Sequence, residues 1–288
     1  MKLILSRKGF DTGKHAGGCP SPILPDGRMV SLPIPLPSAV ISYGEIERDG
    51  QSIGPMVEQL TGGRIPQKHL AHLDPDLVEQ SLPRRAGWRP IFGQVNQAQS
   101  HLRNCKVGPG DLFLFFGLFR RTRMFEGQLT WVRGEHPRHV IWGWLQVDEV
   151  LSPSDVDRMR YDWALDHPHF HLDMPSNTIY IARQRLGLGD GFNIDVPGGG
   201  AFPRYLAELQ LTAEDASNVT DWQLPTWFFP HRGRTPLTYH AKRDRWERCD
   251  GHTRLSAAAR GQEFVLDCGE YPEAIKWLAQ LLSVVQDQ

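Results

Sequence analysis

"VGPGDLFLFFGLF", residues 107–119, and "HVIWGWLQVDEV", residues 139–150, decide the fold class. The first is a short apolar run that follows the turn residues Gly108-Pro109-Gly110-Asp111, and the second mixes β-branched and aromatic residues. Both predict strands. Outward from them, further strands are expected at "KLILSR" (2–7), "NTIYIAR" (177–183) and "EFVLDC" (263–268). Helices are expected at "GQVNQAQSHLRNC" (93–105) and at "SPSDVDRMRYDWAL" (152–165), the latter with Ser152 as N-cap and Pro153 in the first turn. A last helix begins near Pro272, where Ile275, Leu278 and Leu282 recur at helical spacing. Strands and helices do not alternate regularly, so the expectation is α+β, with a mixed sheet flanked by helices.

The rhythm of residues 88–182 (helix, "GD" before a strand, basic loop, strand with an internal glycine) is similar to small PUA-like barrels, the EVE and ASCH domains. A small barrel of that type is the other form the sheet is expected to take. "CPSPILPDGRMVSLPIPLPS" (19–38) is too proline-rich for a helix or a central strand and too apolar for a solvated linker. It predicts an extended N-terminal arm laid across the domain, with "PDG" as a turn. Residues 1–288 are expected to form a single domain.

Composition narrows the function. The chain has 40% hydrophobic and 23% charged residues, and its net charge of -1 offers no global attraction to nucleic acid or an acidic membrane. Any such binding must use a local basic patch. "MKLILSRKGF" lacks the apolar length of a signal peptide, and no run approaches a membrane span. Cys19, Cys105, Cys249 and Cys268 are widely spaced, which argues against a zinc ribbon or a disulfide scaffold. A cytoplasmic protein is expected, and the oligomeric state stays open.

"LSRKGFDTGKHAGGCPSPI" (5–23) places Arg7, Lys8 and Asp11 after a strand and before a glycine-rich loop. Such a loop suits a phosphate or carboxylate, although it has neither the P-loop nor the GxGxxG pattern. A glycine turn with solvated charges reads equally well. Cys19 lies in the same loop, where Arg7, Lys8 or His15 would activate a thiolate, but an inert buried cysteine is the commoner case. "LSRKGFD", "GGCPSPI", "PDGRMVSLPIP", "HLDPDL", "AQSHL", "GPGDLFLFFGLFR" and "GWLQV" together resemble the nucleotide modification associated domain family, type three. The resemblance runs from Met1 to about Ala182 and is expected to cover nearly the whole chain. The resemblance implies a part in DNA-base hypermodification in phages and bacteria, without a catalytic mechanism to carry over, so residue roles rest on chemistry.

"AHLDPDL" supplies an HxD pair, His72 and Asp74. Residues i and i+2 of a strand share a face, and with a distant histidine they form the two-histidine, one-carboxylate set of a non-haem iron site. Asp74 as a helix N-cap is the competing reading. "DHPHFH" (166–171) alternates His167, His169 and His171, which point one way if extended. Three converging imidazoles suit a metal; a hydrogen-bonded loop is the alternative. The second "HLD", at His171 to Asp173, would duplicate a complete triad and is the weaker candidate. His72, Asp74 and His169 are the first-choice ligands, and His101 and His167 are candidates for a second metal or an outer shell. Gln94, Gln97 and His101 fall on one face of the expected helix, where amides would read a base edge.

"LFRRTRMF" and "WVRGEHPRH" interleave Arg120, Arg121, Arg123, Arg133 and Arg138 with aromatics. Arginine for phosphate and aromatics for stacking suit single strands, and a solvated hairpin loop is the alternative. "LPTWFFPHRGRTPLTYH" repeats the mixture with Trp227, Phe228, Arg232 and Arg234. No GxSxG elbow and no HxE with PCxxC occurs. The leading expectation is an enzyme, DNA or a nucleotide its substrate, that modifies a nucleobase or its substituent with a divalent metal, Fe(II) by ligand type. A metal-dependent oxidation of a peptide or small molecule, and a non-catalytic reader of modified bases, are the alternatives.

Overall fold

The two deciding runs form the two longest strands, Leu112–Phe125 and Arg138–Leu151, of 14 residues each. They pair antiparallel, with a register shift between Ile141 and Gly143 that leaves Trp142 bulged. Leu112 to Phe116 are almost wholly buried, because both faces of this central strand are covered. This computed structural model describes residues 1–14, 16–189, 192, 194–231, 233–259 and 263–286. His15 and Arg232, named above, lie outside the described residues.

Lys2–Arg7 runs parallel to Leu112–Phe125, and Glu263–Asp267 pairs antiparallel on its outer side. On the other flank, Thr178–Ala182 and then Ile91–Gln94 extend the sheet antiparallel. All five expected strands therefore belong to one mixed nine-stranded sheet. Its main-chain path stays open, so it is not a closed barrel: Glu263–Asp267 forms one edge and Ile91–Gln94 the other. The edges nonetheless meet through side chains, where Gln94 Nε2 donates to Glu263 Oε1 at 2.5 Å. Strongly curled sheets bring remote strands together in this way. Phe92, Phe113, Phe115 and Tyr180 pack ring against ring inside the curl.

Among the described residues, three α-helices, Gly54–Leu60 (α1), Asn96–Asn104 (α2) and Glu273–Ser283 (α3), accompany the sheet. α3 starts after Pro272 and buries Leu278, Leu281 and Leu282, which matches the expected stripe. α2 starts later than expected, because Gly93 and Gln94 belong to the edge strand. The helix expected at 152–165 is a correction: it is a run of turns ending in the 3-10 turn Asp162–Ala164. Ser152 bonds to Ser154 Oγ rather than capping a helix, and Met159 is 87% exposed. The segment's buried apolar residues, Tyr161 and Ala164, lie at its end and leave the first turns without a face to dock.

The proline-rich segment is not one extended arm. Ser21–Ile23 joins the large sheet parallel to Leu112–Phe125, while Ile34–Pro35 pairs with Leu70–His72 in a small separate sheet. The expected "PDG" turn is present, with Gly27 N–H donating to Leu24 O and Gly27 at φ +88°. Residues between Phe10 and Leu73 build their own apolar cluster around Tyr43, Ile53 and Val57. A third cluster surrounds Ile91, Phe170 and Ile179. Where these two clusters adjoin the sheet edge, the end of Leu70–His72, the Ile91–Gln94 strand and the 167–171 turn converge. Among the described residues, no helix is long and apolar enough to cross a membrane.

Candidate metal centre

Asp74 is the hub of that convergence. Its chain segment is pinned to the edge strand by reciprocal main-chain bonds between Asp76 and Ile91, both 2.9 Å. Asp74 Oδ1 accepts from Gly93 N–H at 2.7 Å and meets His167 Nε2 at 3.1 Å. Asp74 Oδ2 faces His169 Nε2 at 3.7 Å and His72 Nε2 at 3.9 Å. Two ligands of one ion stand at most twice a bond apart, about 4.2 Å for bonds of about 2.1 Å. Both imidazole nitrogens meet that limit against the carboxylate. His72, Asp74 and His169 form a group able to hold a metal ion, their ligand atoms all within 4.8 Å of one another.

The hydrogen bonds around the hub assign the protons. Asn177 Nδ2 donates to the carbonyls of His169 and Leu172, so its Oδ1 must be the atom facing His169 Nδ1, at 2.6 Å. Nδ1 of His169 therefore carries the proton and Nε2 keeps a lone pair directed at the centre. His167 Nδ1 accepts from His169 N–H at 3.4 Å, so its Nε2 is the donor to Asp74 Oδ1. That leaves Oδ2 as the free carboxylate oxygen. His167 thus orients the carboxylate, and His72 and His169 are the imidazoles facing its free oxygen.

Charge balance follows from burial. Desolvation pushes the His72 imidazole down to about 4 and lowers His169 as well, with Asp74 opposing both. Burial would raise the Asp74 carboxyl, but the His167 hydrogen bond and three imidazoles outweigh it and hold it well below the usual range. A neutral imidazole and an ionised carboxylate are the states a divalent metal requires. His139 and His240, away from the hub, are likewise lowered by burial, to about 3 and about 4. Unfolded, these groups titrate near 6.5, so below that pH the unfolded chain binds protons that the fold refuses. The metal-free protein is expected to keep full stability above pH 6.5 and to lose it from there down to about pH 3, roughly 3 kcal/mol each for His72 and His240. Urea unfolding at pH 7.5, 6 and 5 measures this, and a flat profile contradicts it.

The other candidates lie apart from the hub or are occupied. His101 Nε2 pairs with Thr238 Oγ1 at 3.1 Å, beside Cys105 and Tyr239. His171 is exposed and bonds Leu165 O, because 168–171 is a 3-10 turn and not an extended strand. Gln94 is buried on the strand and Gln97 is exposed on α2, so the expected shared face with His101 does not form. Arg7 is paired with Asp11 at 2.8 Å, and Lys8 with buried Glu263 at 3.0 Å. Cys19 is buried and its thiol is pushed up to about 11, the opposite of activation. Asp74 caps no helix; its oxygens serve the hub.

The basic loop is a hairpin: Leu112–Phe125 continues through a turn into Gln128–Trp131. Arg120 reaches Val132 O and the Trp131 ring, Arg121 reaches Glu135 and Tyr205, and Arg123 lies over Phe125, which is 51% exposed. Sequence reasoning overlooked Gly93 and Asn177. A Cβ on Gly93 would overlap Cγ, Cδ2 and Nδ1 of His169, so only glycine admits the ring. Glycine inside the strand "IFGQ" was the available signal, since it marks close approach.

No curated protein and no solved structure matched the chain in comparison with known proteins. A family model did match, nucleotide modification associated domain 3, over residues 2–267. The match contains the hub, its orienting residues and the basic hairpin. The chain belongs to the nucleotide modification associated domain 3 family.

Proposed function

We propose that this protein is a metal-dependent enzyme, with Fe(II) as its ion, that oxidises a C–H bond of a nucleobase or of a substituent on one. The observation that carries the reading is the directed pair of hydrogen bonds at the hub. Asn177 fixes the proton on His169 Nδ1 and His167 occupies Asp74 Oδ1. Two imidazole nitrogens and one carboxylate oxygen are left facing one point, the donor set of non-haem iron enzymes. Bound there, iron would supply oxygen activation with open coordination positions. The chain's own residues hold the ligands, fix their protons and keep bulk water away. One oxygen atom enters the substrate and the other leaves as water, the two further electrons coming from an organic co-reductant. Family membership supports a nucleotide or DNA substrate.

Anaerobically iron-loaded protein, mixed with DNA or nucleosides in air with candidate reductants, tests this by mass spectrometry of the nucleosides. A product heavier by one oxygen atom is expected. Binding of modified DNA without metal or turnover would favour a reader instead. The hairpin is the proposed nucleic-acid contact, because Arg123 lies over exposed Phe125, Arg121 on the same strand is itself exposed, and arginine beside aromatics suits single strands. Arg121→Ala with Arg123→Ala is expected to weaken single-strand binding about tenfold and to flatten its salt dependence. Unchanged binding and slope would remove the hairpin from the account.

A further inference from the structure

Arg48 stands out among the charged groups near the hub. It ends the short strand Glu47–Arg48, whose return strand Gln51–Ser52 is reached through Asp49-Gly50, both at positive φ. That Asp-Gly turn suits a tight hairpin and fixes where Arg48 emerges. Among the described residues, the Arg48 guanidinium has no hydrogen bond and no ion pair, although the residue is half-buried. Its possible partners are engaged: Asp49 pairs with Arg28, and Asp76 with Arg84 at 2.7 Å. Burial lowers its guanidinium to about 10. A half-buried arginine with no carboxylate in contact is under-satisfied, and an incoming oxyanion would supply the missing partner.

Two cavities meet at this side chain. One, of about 270 Å³, is lined by Arg28, Val78, Phe202 and Ala201 together with Ser31, Arg48 and Trp142. The other, of about 20 Å³ and so little larger than a water, shares those last three residues and ends at Lys8 and Asp74. Arg48, Ser31 and Trp142 therefore form the partition between a ligand-sized cleft and the hub carboxylate. Bulged Trp142 is itself fixed by its Nε1 donating to Lys8 O at 2.9 Å.

We propose that Arg48 is an oxyanion-binding residue that seats a phosphate or carboxylate of a small anionic molecule in the larger cleft, beside the His72–Asp74–His169 centre. This rests on the metal reading only for what lies on the far side of the partition. The cleft fits a single nucleotide or a small organic acid, not a duplex. A 5′-nucleotide and an acidic co-substrate share the required chemistry, and the test separates them.

The full-length chain, loaded anaerobically with Mn(II) as a redox-inert probe, is titrated calorimetrically with deoxynucleoside 5′-monophosphates, the matching nucleosides, and succinate. Arg48→Gln is expected to weaken one anion about tenfold or more, Arg48→Lys less, and neither to change Mn(II) content. Loss of monophosphate binding with nucleoside binding unchanged assigns a phosphate; loss of succinate binding assigns a carboxylate. In wild-type protein the same anion is expected to shield Arg48 from an arginine-specific reagent, a readout that needs no variant. No binding of either anion, or equal binding by Arg48→Gln and no shielding, overturns the proposal. Mn(II) content read in the same samples separates that failure from failure of the metal site.

Discussion

Asp74→Ala is expected to abolish divalent-metal binding and to destabilise the metal-free fold by about 2–4 kcal/mol. The carboxylate has two distinct tasks. Through Oδ1 it satisfies Gly93 N–H and His167 Nε2, both at the buried seam between the edge strand and the 167–171 turn. Through Oδ2 it provides the anionic face toward His72 and His169. Alanine leaves two buried donors without an acceptor and also removes the charge that favours a cation. Asp74→Asn separates the tasks: the amide oxygen still accepts, so the fold should lose less while metal affinity still falls by about a hundredfold or more, beyond the loss typical of an outer partner. Urea unfolding and metal titration on the two variants give both numbers. Equal metal affinity in Asp74→Asn and wild type would contradict the role of Oδ2.

Gly93→Ala comes second in expected size and tests packing instead of charge. The added methyl would occupy the volume of the His169 ring, which lies flat against the strand at this position. Either the ring swings away, breaking its 2.6 Å contact with Asn177, or the strand shifts and Gly93 N–H leaves Asp74. Both outcomes dismantle the centre without touching a ligand atom. The expected result is a loss of about 1–3 kcal/mol and a metal affinity as poor as that of His169→Ala. Wild-type affinity in Gly93→Ala would mean that His169 is not held where the structure has it. Asn177→Asp keeps an acceptor facing Nδ1 but turns a carboxylate oxygen toward the His169 and Leu172 carbonyls, so it is expected to disturb the turn as well.

The sheet was legible because its strands carry their own signals. "DLFLFF" and "HVIWGWLQV" have no helical period, and turn residues precede the first. The segment 152–165 has a good cap and proline for a helix start, but its docked apolar residues crowd at 161–165 and the chain forms turns before them. The meeting of His72 and Asp74 was readable from residue type and spacing alone. The ranking of His169 ahead of His167 was open to sequence, but its physical basis was not, since it arises from a 3-10 turn and from an asparagine eight residues away. Arg7 could have been matched to Asp11 at i+4, but Lys8 finds its counter-ion 255 residues along the chain. Arg48 gave no sign either, because an unpaired cation is a property of its surroundings.

The most direct test of the central claim is metal content, by elemental mass spectrometry on untagged protein reconstituted anaerobically with iron, manganese or zinc. About one equivalent is expected in wild type and in His101→Ala, and almost none in His72→Ala, Asp74→Ala or His169→Ala. No retained metal in wild type, or full loading in those three folded variants, would contradict the centre described here.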